Sequence, residues 1–224
     1  MAANKLIGIV IDKKDYENYD QLVTFLCPKF RQKITFLAKG VRKTNSKNGA
    51  NLQLFSIVEL EIFLARDTLK ISRLKRAILL KQYDFLNPFV QTTLEKIRMI
   101  FKNTQSISNS FLKLYSLVLE KIKGEECNWW ISILLANCPL MDAIKPYSSK
   151  CSECGVINRL IQFCWHNGGM KCRSHASQIT SYSMLLNYYF LFNNFDKYIK
   201  NCDIYQNDFI QKEIINFLHE NGYF

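Results

Sequence analysis

The hydrophobic periodicity of this chain changes once, near residue 77, and that change limits the available folds more than any other feature. Before it, apolar residues come in short β-branched runs. Residues 6–11 form one run, closed by Asp12-Lys13-Lys14-Asp15, and residues 21–27 form another that stops at Pro28. Residues 33–39 put Ile34, Phe36 and Ala38 on one face by a period of two. Residues 43–49 read as a polar loop; two more runs follow at 52–64 and 68–74, joined by a turn at Ala65-Arg66-Asp67. Five strands predict a small closed barrel of the OB type, although an SH3-like barrel or a small open sheet has nearly the same strand count.

Beyond residue 77 the spacing is helical. Asn87-Pro88 is a cap and first-turn proline ahead of Val90, Leu94, Ile97 and Phe101. Phe111, Leu114, Val118 and Ile122 make a second stripe ended by Gly124; Trp130, Ile131, Leu134, Leu135 and Cys138 make a third, stopped by Pro139. Tyr182, Leu185, Leu186, Tyr189 and Phe190 predict a fourth helix, and Ile210, Ile214, Phe217 and Leu218 a last one closed at Gly222. The expected class is α+β: a five-stranded OB-type barrel over 1–77, then an all-α domain over 78–224 carrying a zinc-binding insert at about 148–176. No stretch approaches the ~18 consecutive apolar residues that cross a bilayer. The first residues break into charge with no small-residue cleavage site, so a reducing, cytoplasmic setting is expected, with no membrane partner.

Charge narrows the partner. The net charge is +11, and 48% of residues are hydrophobic, enough for a packed core rather than a disordered polybasic chain. Residues 1–77 hold 15 Lys or Arg against 7 Asp or Glu, whereas residues 78–224 hold 15 against 12. No acid occurs from Gln21 to Val58, where Lys29, Arg31, Lys33, Lys39, Arg42, Lys43 and Lys47 lie. Such a block attracts polyanions, above all nucleic-acid backbones. Arg31, Lys33, Lys39, Arg42, Lys43 and Lys47 are the candidate DNA contacts. Tyr16, Tyr19, Phe30 and Phe36 are the aromatics available for base stacking, each competing with a role in the core.

Cys151-x-x-Cys154-Gly155 and Cys172-x-x-His175 are separated by 17 residues. A C-x2-C turn places two thiolates on one tetrahedral edge and a second knuckle supplies the rest, so Cys151, Cys154, Cys172 and His175 are candidate ligands for one structural zinc ion. Cys164 and His166 compete with His175 for the fourth position. Cys27, Cys127, Cys138 and Cys202 read as buried free thiols. Gly168-Gly169 helps the chain reverse ahead of the second knuckle.

No catalytic constellation emerges. His166, His175 and His219 are the only histidines, and two belong to the knuckle region. No phosphate-binding glycine loop is present, and Glu59 and Glu61 fall two apart as the solvent-side residues of a strand. A non-enzyme with no small-molecule substrate is expected.

Gly8-Ile9-Val10, Leu22-Val23-Thr24, the Ala38-Lys39-Gly40-x-Arg42 stretch and the Phe55-Ser56-x-x-Glu59-Leu60 stretch resemble, in order and spacing, the N-terminal barrel of bacterial RecO recombination-repair proteins. Cys151-x-x-Cys154-Gly155 with Gly168-Gly169-x-x-Cys172 is similar to the zinc module of many of them. The chain departs from that pattern in having His175 where a fourth cysteine is usual, and in offering Lys43 and Lys47 where further arginines are usual. Lysine binds phosphate as a point charge rather than by a bidentate fork. The resemblance implies a mediator that binds single- and double-stranded DNA, anneals complementary strands and works with RecR to load RecA onto DNA covered by single-stranded DNA-binding protein. It further implies a contact with that protein's C-terminal tail, without placing the pocket, and it leaves open whether RecF participates. It also implies that Lys39, Arg42 and Lys43 contact phosphates at the barrel mouth. The rival reading is an RNA-binding barrel with a zinc module, such as a ribosome-associated factor, since nothing in the sequence reads a 2′-hydroxyl.

Overall fold

The computed structural model describes residues 3–65, 70–124 and 126–223, apart from the side chains of Phe89 and Thr92. The chain forms two compact units, 1–122 and 123–224.

The first unit is built on five strands: β1 (Asn4–Tyr16), β2 (Asp20–Leu26), β3 (Ile34–Ala38), β4 (Ile57–Phe63) and β5 (Ser72–Lys81). They close a barrel in the order β1-β2-β3-β5-β4, with β3 and β5 parallel and the other pairs antiparallel. This is the OB-type arrangement, and closure removes the open-sheet alternative. The polar loop expected at 43–49 contributes instead to a short helix, α1 (Lys47–Asn51), capped by Ser46 Oγ, which accepts from Gly49 N. The strand expected at 68–74 begins in the described residues only at Ser72, and the turn at Arg66-Asp67 lies outside them. β5 also continues past residue 77 to Lys81, because four consecutive apolar residues from Ala77 to Leu80 mask the period-two signal.

Alternation fills the barrel. Val58, Leu60 and Ile62 of β4 point inward against Leu6, Val10, Val23, Phe25, Phe36 and Ala38. Glu59 and Glu61 take the opposite face, where Glu61 pairs with Lys75 at 2.8 Å. Helices α2 (Pro88–Asn103) and α3 (Asn109–Lys121) belong to the same unit. Phe55, held at φ +59°, stacks its ring on Phe101 of α2 with centroids 6.0 Å apart. Its carbonyl accepts from Tyr115 Oη of α3 at 2.6 Å, and Tyr115 and Tyr83 hydroxyls meet at 2.7 Å. Burial drives the Tyr115 hydroxyl pKa well up, so it stays neutral and hydrogen-bonded inside the core.

The second unit contains α4 (Cys127–Ala136), α5 (Tyr182–Asn193), α6 (Phe195–Asn201) and α7 (Ile204–Glu220), with a hairpin of β6 (Leu160–Cys164) and β7 (Gly169–Cys172) between α4 and α5. Helix α4 is buried along most of its length, through Trp130, Ile131, Ile133, Leu134 and Leu135. The stripe expected for α5 is displaced: Tyr182 and Tyr189 are exposed, and Asn187, Tyr188 and Leu191 face inward. An aromatic-rich helix carries apolar residues on several faces, so spacing alone does not choose between them. Helix α6 escapes the stripe reading because it is seven residues long, and Asn194 Oδ1 caps it by accepting from Lys197 N. Asp203 and Gln206 form a capping box at the start of α7.

Candidate metal centre and nucleic-acid interface

The two cysteine knuckles meet. The ligand atoms of Cys151, Cys154, Cys172 and His175 all lie within 4.8 Å of one another. Cys154 Sγ is 3.8 Å from Cys172 Sγ, and His175 Nδ1 lies 3.6 Å from Cys151 Sγ and 3.3 Å from Cys172 Sγ. A tetrahedral ion with sulfur ligands at ~2.3 Å has sulfur–sulfur edges of about 3.8 Å. The donor set and its spacing therefore fit one tetrahedral cation.

Local backbone geometry explains the convergence. Gly155 takes φ +74° and returns its N–H to the Cys151 carbonyl at 2.9 Å, closing the first knuckle. In the second, the N–H groups of His175 and Ala176 both donate to the Cys172 carbonyl. The hairpin between them turns over 165–168, and Gly169 opens its second strand. A Cβ on Gly169 would sit 2.3 Å from the Tyr147 carbonyl oxygen, so only glycine allows Tyr147 to bridge to this strand.

The electrostatics also suit a cation. Burial pushes the Cys151 thiol up, but backbone N–H groups of Cys154, Cys172 and Glu153 more than offset it and bring it to about 5. Burial also raises Cys172, and the N–H of Ser174 and the His175 ring pull it below its ordinary value. The sulfurs of Cys172 and Cys151 raise His175. Around the cluster, Glu153 Oε2 lies 3.7 Å from His175 Nε2, and Glu153 Oε1 accepts from Lys171 Nζ at 2.5 Å. The carboxylate thus stands near the distal imidazole nitrogen, on the side away from the sulfurs that Nδ1 faces. The sequence reading missed Glu153 and Lys171. The signal for the first was that Glu153 is the single acid between Ala143 and Phe195.

The competing fourth ligands lie elsewhere. His166 Nδ1 pairs with Glu220 at 3.2 Å and its ring packs on Phe217, while Cys164 is paired within the hairpin opposite Gly169. Among the described residues no disulfide is formed; Cys27, Cys127, Cys138 and Cys202 are buried, and burial pushes the Cys138 and Cys202 thiols up to about 12.

On the barrel, the basic candidates divide. Arg31, Lys39, Arg42, Lys43 and Lys47 are exposed. Gly40, at φ +63°, turns the chain after β3, and its N–H is held by Asp20 Oδ1 at 2.7 Å. That turn brings Arg42 back to the β1–β2 hairpin, where its guanidinium pairs with Asp15 at 3.2 Å and donates to the Asn18 carbonyl at 3.4 Å. Lys43 Nζ sits 5.5 Å above the Tyr19 ring. Lys33 is half-buried and donates to the Lys102 carbonyl at 2.8 Å, and desolvation lowers its pKa. Of the aromatics, Phe36 is buried and Phe30 packs on the barrel core, while Tyr16 and Tyr19 are exposed beside the Arg42 turn.

Comparison with known proteins agrees with this layout. Residues 1–83 match the family model described as Recombination protein O N terminal. A DNA repair protein RecO of Mesoplasma florum is 41% identical over 149 residues, covering 61% of this chain and 55% of its own length. The RecO of Mycoplasma capricolum is 35% identical over 81 residues, 36% of this chain and 32% of that one. The RecO of Ligilactobacillus salivarius is 26% identical over 180 residues, 75% of this chain and 66% of its own. The chain thus spans about half the length of the first of these relatives, and the likeness runs past the matched N-terminal domain. Among the described residues, no helix is long and apolar enough to cross a membrane.

Proposed function

We propose that this chain is a RecO-type DNA repair protein, with its barrel as that family's N-terminal domain, and that it acts as a non-catalytic recombination mediator that binds DNA strands and anneals them; the match of residues 1–83 and the likeness to RecO proteins beyond them support this reading. The observation that carries this reading is the pair of exposed lysines, Lys39 and Lys43, in a segment with no acid from Gln21 to Val58, with Lys43 lying over the exposed Tyr19 ring of the β1–β2 hairpin. Lysines there neutralise phosphates with little base preference, and the exposed tyrosines offer faces for bases. Arg31 and Lys47 extend the patch. Arg42 joins it by exchanging Asp15 for phosphate, and Lys33 by exchanging the Lys102 carbonyl.

The barrel, whose last strand runs to Lys81 rather than ending at residue 77, acts as the DNA-binding part, and the helical remainder carries an insert, about 148–176, stapled by one structural zinc ion on Cys151, Cys154, Cys172 and His175. Three thiolates and an imidazole favour zinc over the harder oxygen-seeking cations, and four protein ligands leave no position open for catalysis. As in the family, the partners are single- and double-stranded DNA, RecR and the tail of single-stranded DNA-binding protein, with RecA loading as the outcome in a cytoplasmic, nucleoid-associated setting.

The test is annealing of complementary oligonucleotides, with and without purified single-stranded DNA-binding protein. Intact duplex should form faster than the spontaneous rate. Strand loss in Mg²⁺ or Mn²⁺ would instead identify a nuclease, and preferential competition by matched RNA would move the reading to the RNA-binding alternative.

A further inference from the structure

The second half of the chain carries a modest net charge, 15 bases against 12 acids, but that average conceals a block. Residues 143–195 contain five bases, Lys145, Lys150, Arg159, Lys171 and Arg173, and one acid, Glu153. The carboxylate of Glu153 is already engaged, by Lys171 at 2.5 Å and His175 at 3.7 Å. Lys171 is buried in that pair, and Lys145 reaches Asn137 Oδ1 at 2.9 Å while lying over the Phe192 ring.

Arg159 and Arg173 remain, together with Lys150, whose Nζ lies 4.5 Å above the exposed Tyr147 ring and, among the described residues, has no hydrogen-bonded carbonyl of the kind that holds Lys145 at Asn137. All three are exposed, and none makes an ion pair among the described residues. The two knuckles place them together. Lys150 immediately precedes Cys151, and Arg173 immediately follows Cys172. In the antiparallel hairpin Leu160 is the register partner of Cys172, so Arg159 and Arg173 flank the same pair. The two guanidinium-bearing residues thus sit just beyond the paired ends of the hairpin, and like charges brought near each other favour an anion. Arg159 is, moreover, held at φ +54°, a conformation that costs a side-chain-bearing residue energy and that glycine or asparagine would adopt more readily. Beside it the loop after Gly155 exposes Val156 and, 69% exposed, Ile157.

We infer that this metal module is a second DNA-contacting surface, in which Lys150, Arg159 and Arg173 take the phosphates of a single strand and Val156 and Ile157 face its bases. The inference rests on the DNA-annealing reading and deepens it, since annealing requires two strands neutralised on one protein, and the barrel patch and this module are two such surfaces on two separate units. Guanidinium forks match phosphate oxygens bidentately, which sets Arg159 and Arg173 apart from the lysines of the barrel patch.

The test uses the full-length chain with Lys150→Gln, Arg159→Gln and Arg173→Gln combined, beside Lys39→Glu with Lys43→Glu. Binding of a fluorescent single-stranded oligonucleotide is titrated across salt concentrations, and annealing and bound metal are measured in parallel. Each lost phosphate contact removes ~0.7 from the slope of log affinity against log salt, so the triple variant should lose about 2. Its annealing should slow about tenfold with metal content unchanged. Should metal content fall, Arg159→Gln alone, at a residue outside the four-ligand cluster, should still lower the slope by about 0.7. Wild-type slope and annealing in these variants, while the barrel variant loses both, would overturn the inference and leave the DNA reading standing. Loss of binding to an acidic peptide with DNA binding intact would overturn it equally, by assigning the surface to a protein. Absence of salt-dependent DNA binding in the unmodified chain would sink the reading on which it rests.

Discussion

Phe163 of the β6–β7 hairpin stacks on Tyr188 of α5, ring centroids 4.0 Å apart and planes within 10°. Trp165, two residues on, meets Phe163 edge-on at 5.1 Å and packs against Phe217 of α7 at 5.5 Å. The hairpin that carries Cys172 is therefore seated on two helices by aromatic contact as well as held by its own cluster. Phe163→Ala should lower the unfolding free energy by about 3 kcal/mol, the usual cost of removing a buried aromatic ring. A urea titration followed by tryptophan fluorescence measures it; a loss within error of zero would mean that the stack carries no load.

Metal removal should loosen the module without dissolving the helices beneath it. Treatment with a strong chelator is expected to release one zinc per chain and to speed tryptic cleavage after Lys150, Arg159 and Arg173, which are exposed. His175→Ala should lower bound metal to well under one equivalent, whereas His166→Ala, paired with Glu220 instead, should keep it. Metal analysis of the two purified variants decides between these histidines.

Glu213 supplies a pH dependence of known sign. Burial holds its carboxyl above the ordinary range, partly countered by the Tyr188 hydroxyl that donates to it. From about pH 4.3, where the unfolded carboxyl loses its proton, up to the raised folded value, the folded state retains a proton that the unfolded state has released. Stability contributed at this site is thus greatest at low pH, falls across that window and levels off above it. Glu213→Gln should abolish this segment of the curve, so the variant-minus-parent difference in Tm should rise through the window and then plateau.

Asp15 restrains Arg42. An exposed ion pair of this type is worth about 0.5 kcal/mol, so Asp15→Asn should tighten DNA binding about two- to threefold at low salt. Lys39→Glu with Lys43→Glu should act oppositely, weakening binding and lowering the salt slope by about 1.5. Equal affinities for all three proteins across the salt series would remove the hairpin turn from the interface.

Much of this arrangement is legible in the residues, for separable reasons. Strict alternation along β4 and ligand spacing in the knuckles are local patterns, and both the barrel wall and the Cys151–Cys154–Cys172–His175 convergence follow from them. What could not be read depends on partners distant in sequence. Nothing near Arg42 announces that Asp15 will meet it, and nothing near Lys33 announces the Lys102 carbonyl. The inward face of α5 is chosen by Phe163, 25 residues upstream of Tyr188, rather than by the helix's own spacing. The block from 143 to 195 was visible throughout, but summing charge over a whole half of the chain hid it.

The barrel closes through its slightest seam. β3 and β5 meet in parallel register at Phe36 with Ser72 and at Leu37 with Arg73, whereas β4 and β5 run together from Ile57 with Lys81 to Phe63 with Arg73. A wall joined so briefly at one place has an intrinsic parting line, and thermal breathing will open it there before anywhere else. Amides of β3 should exchange with solvent sooner than those of β4. Because β3 leads directly into Lys39 and Arg42, the most easily loosened staves of the barrel are those that present its charge, giving the basic turn a compliance that the rest of the wall lacks.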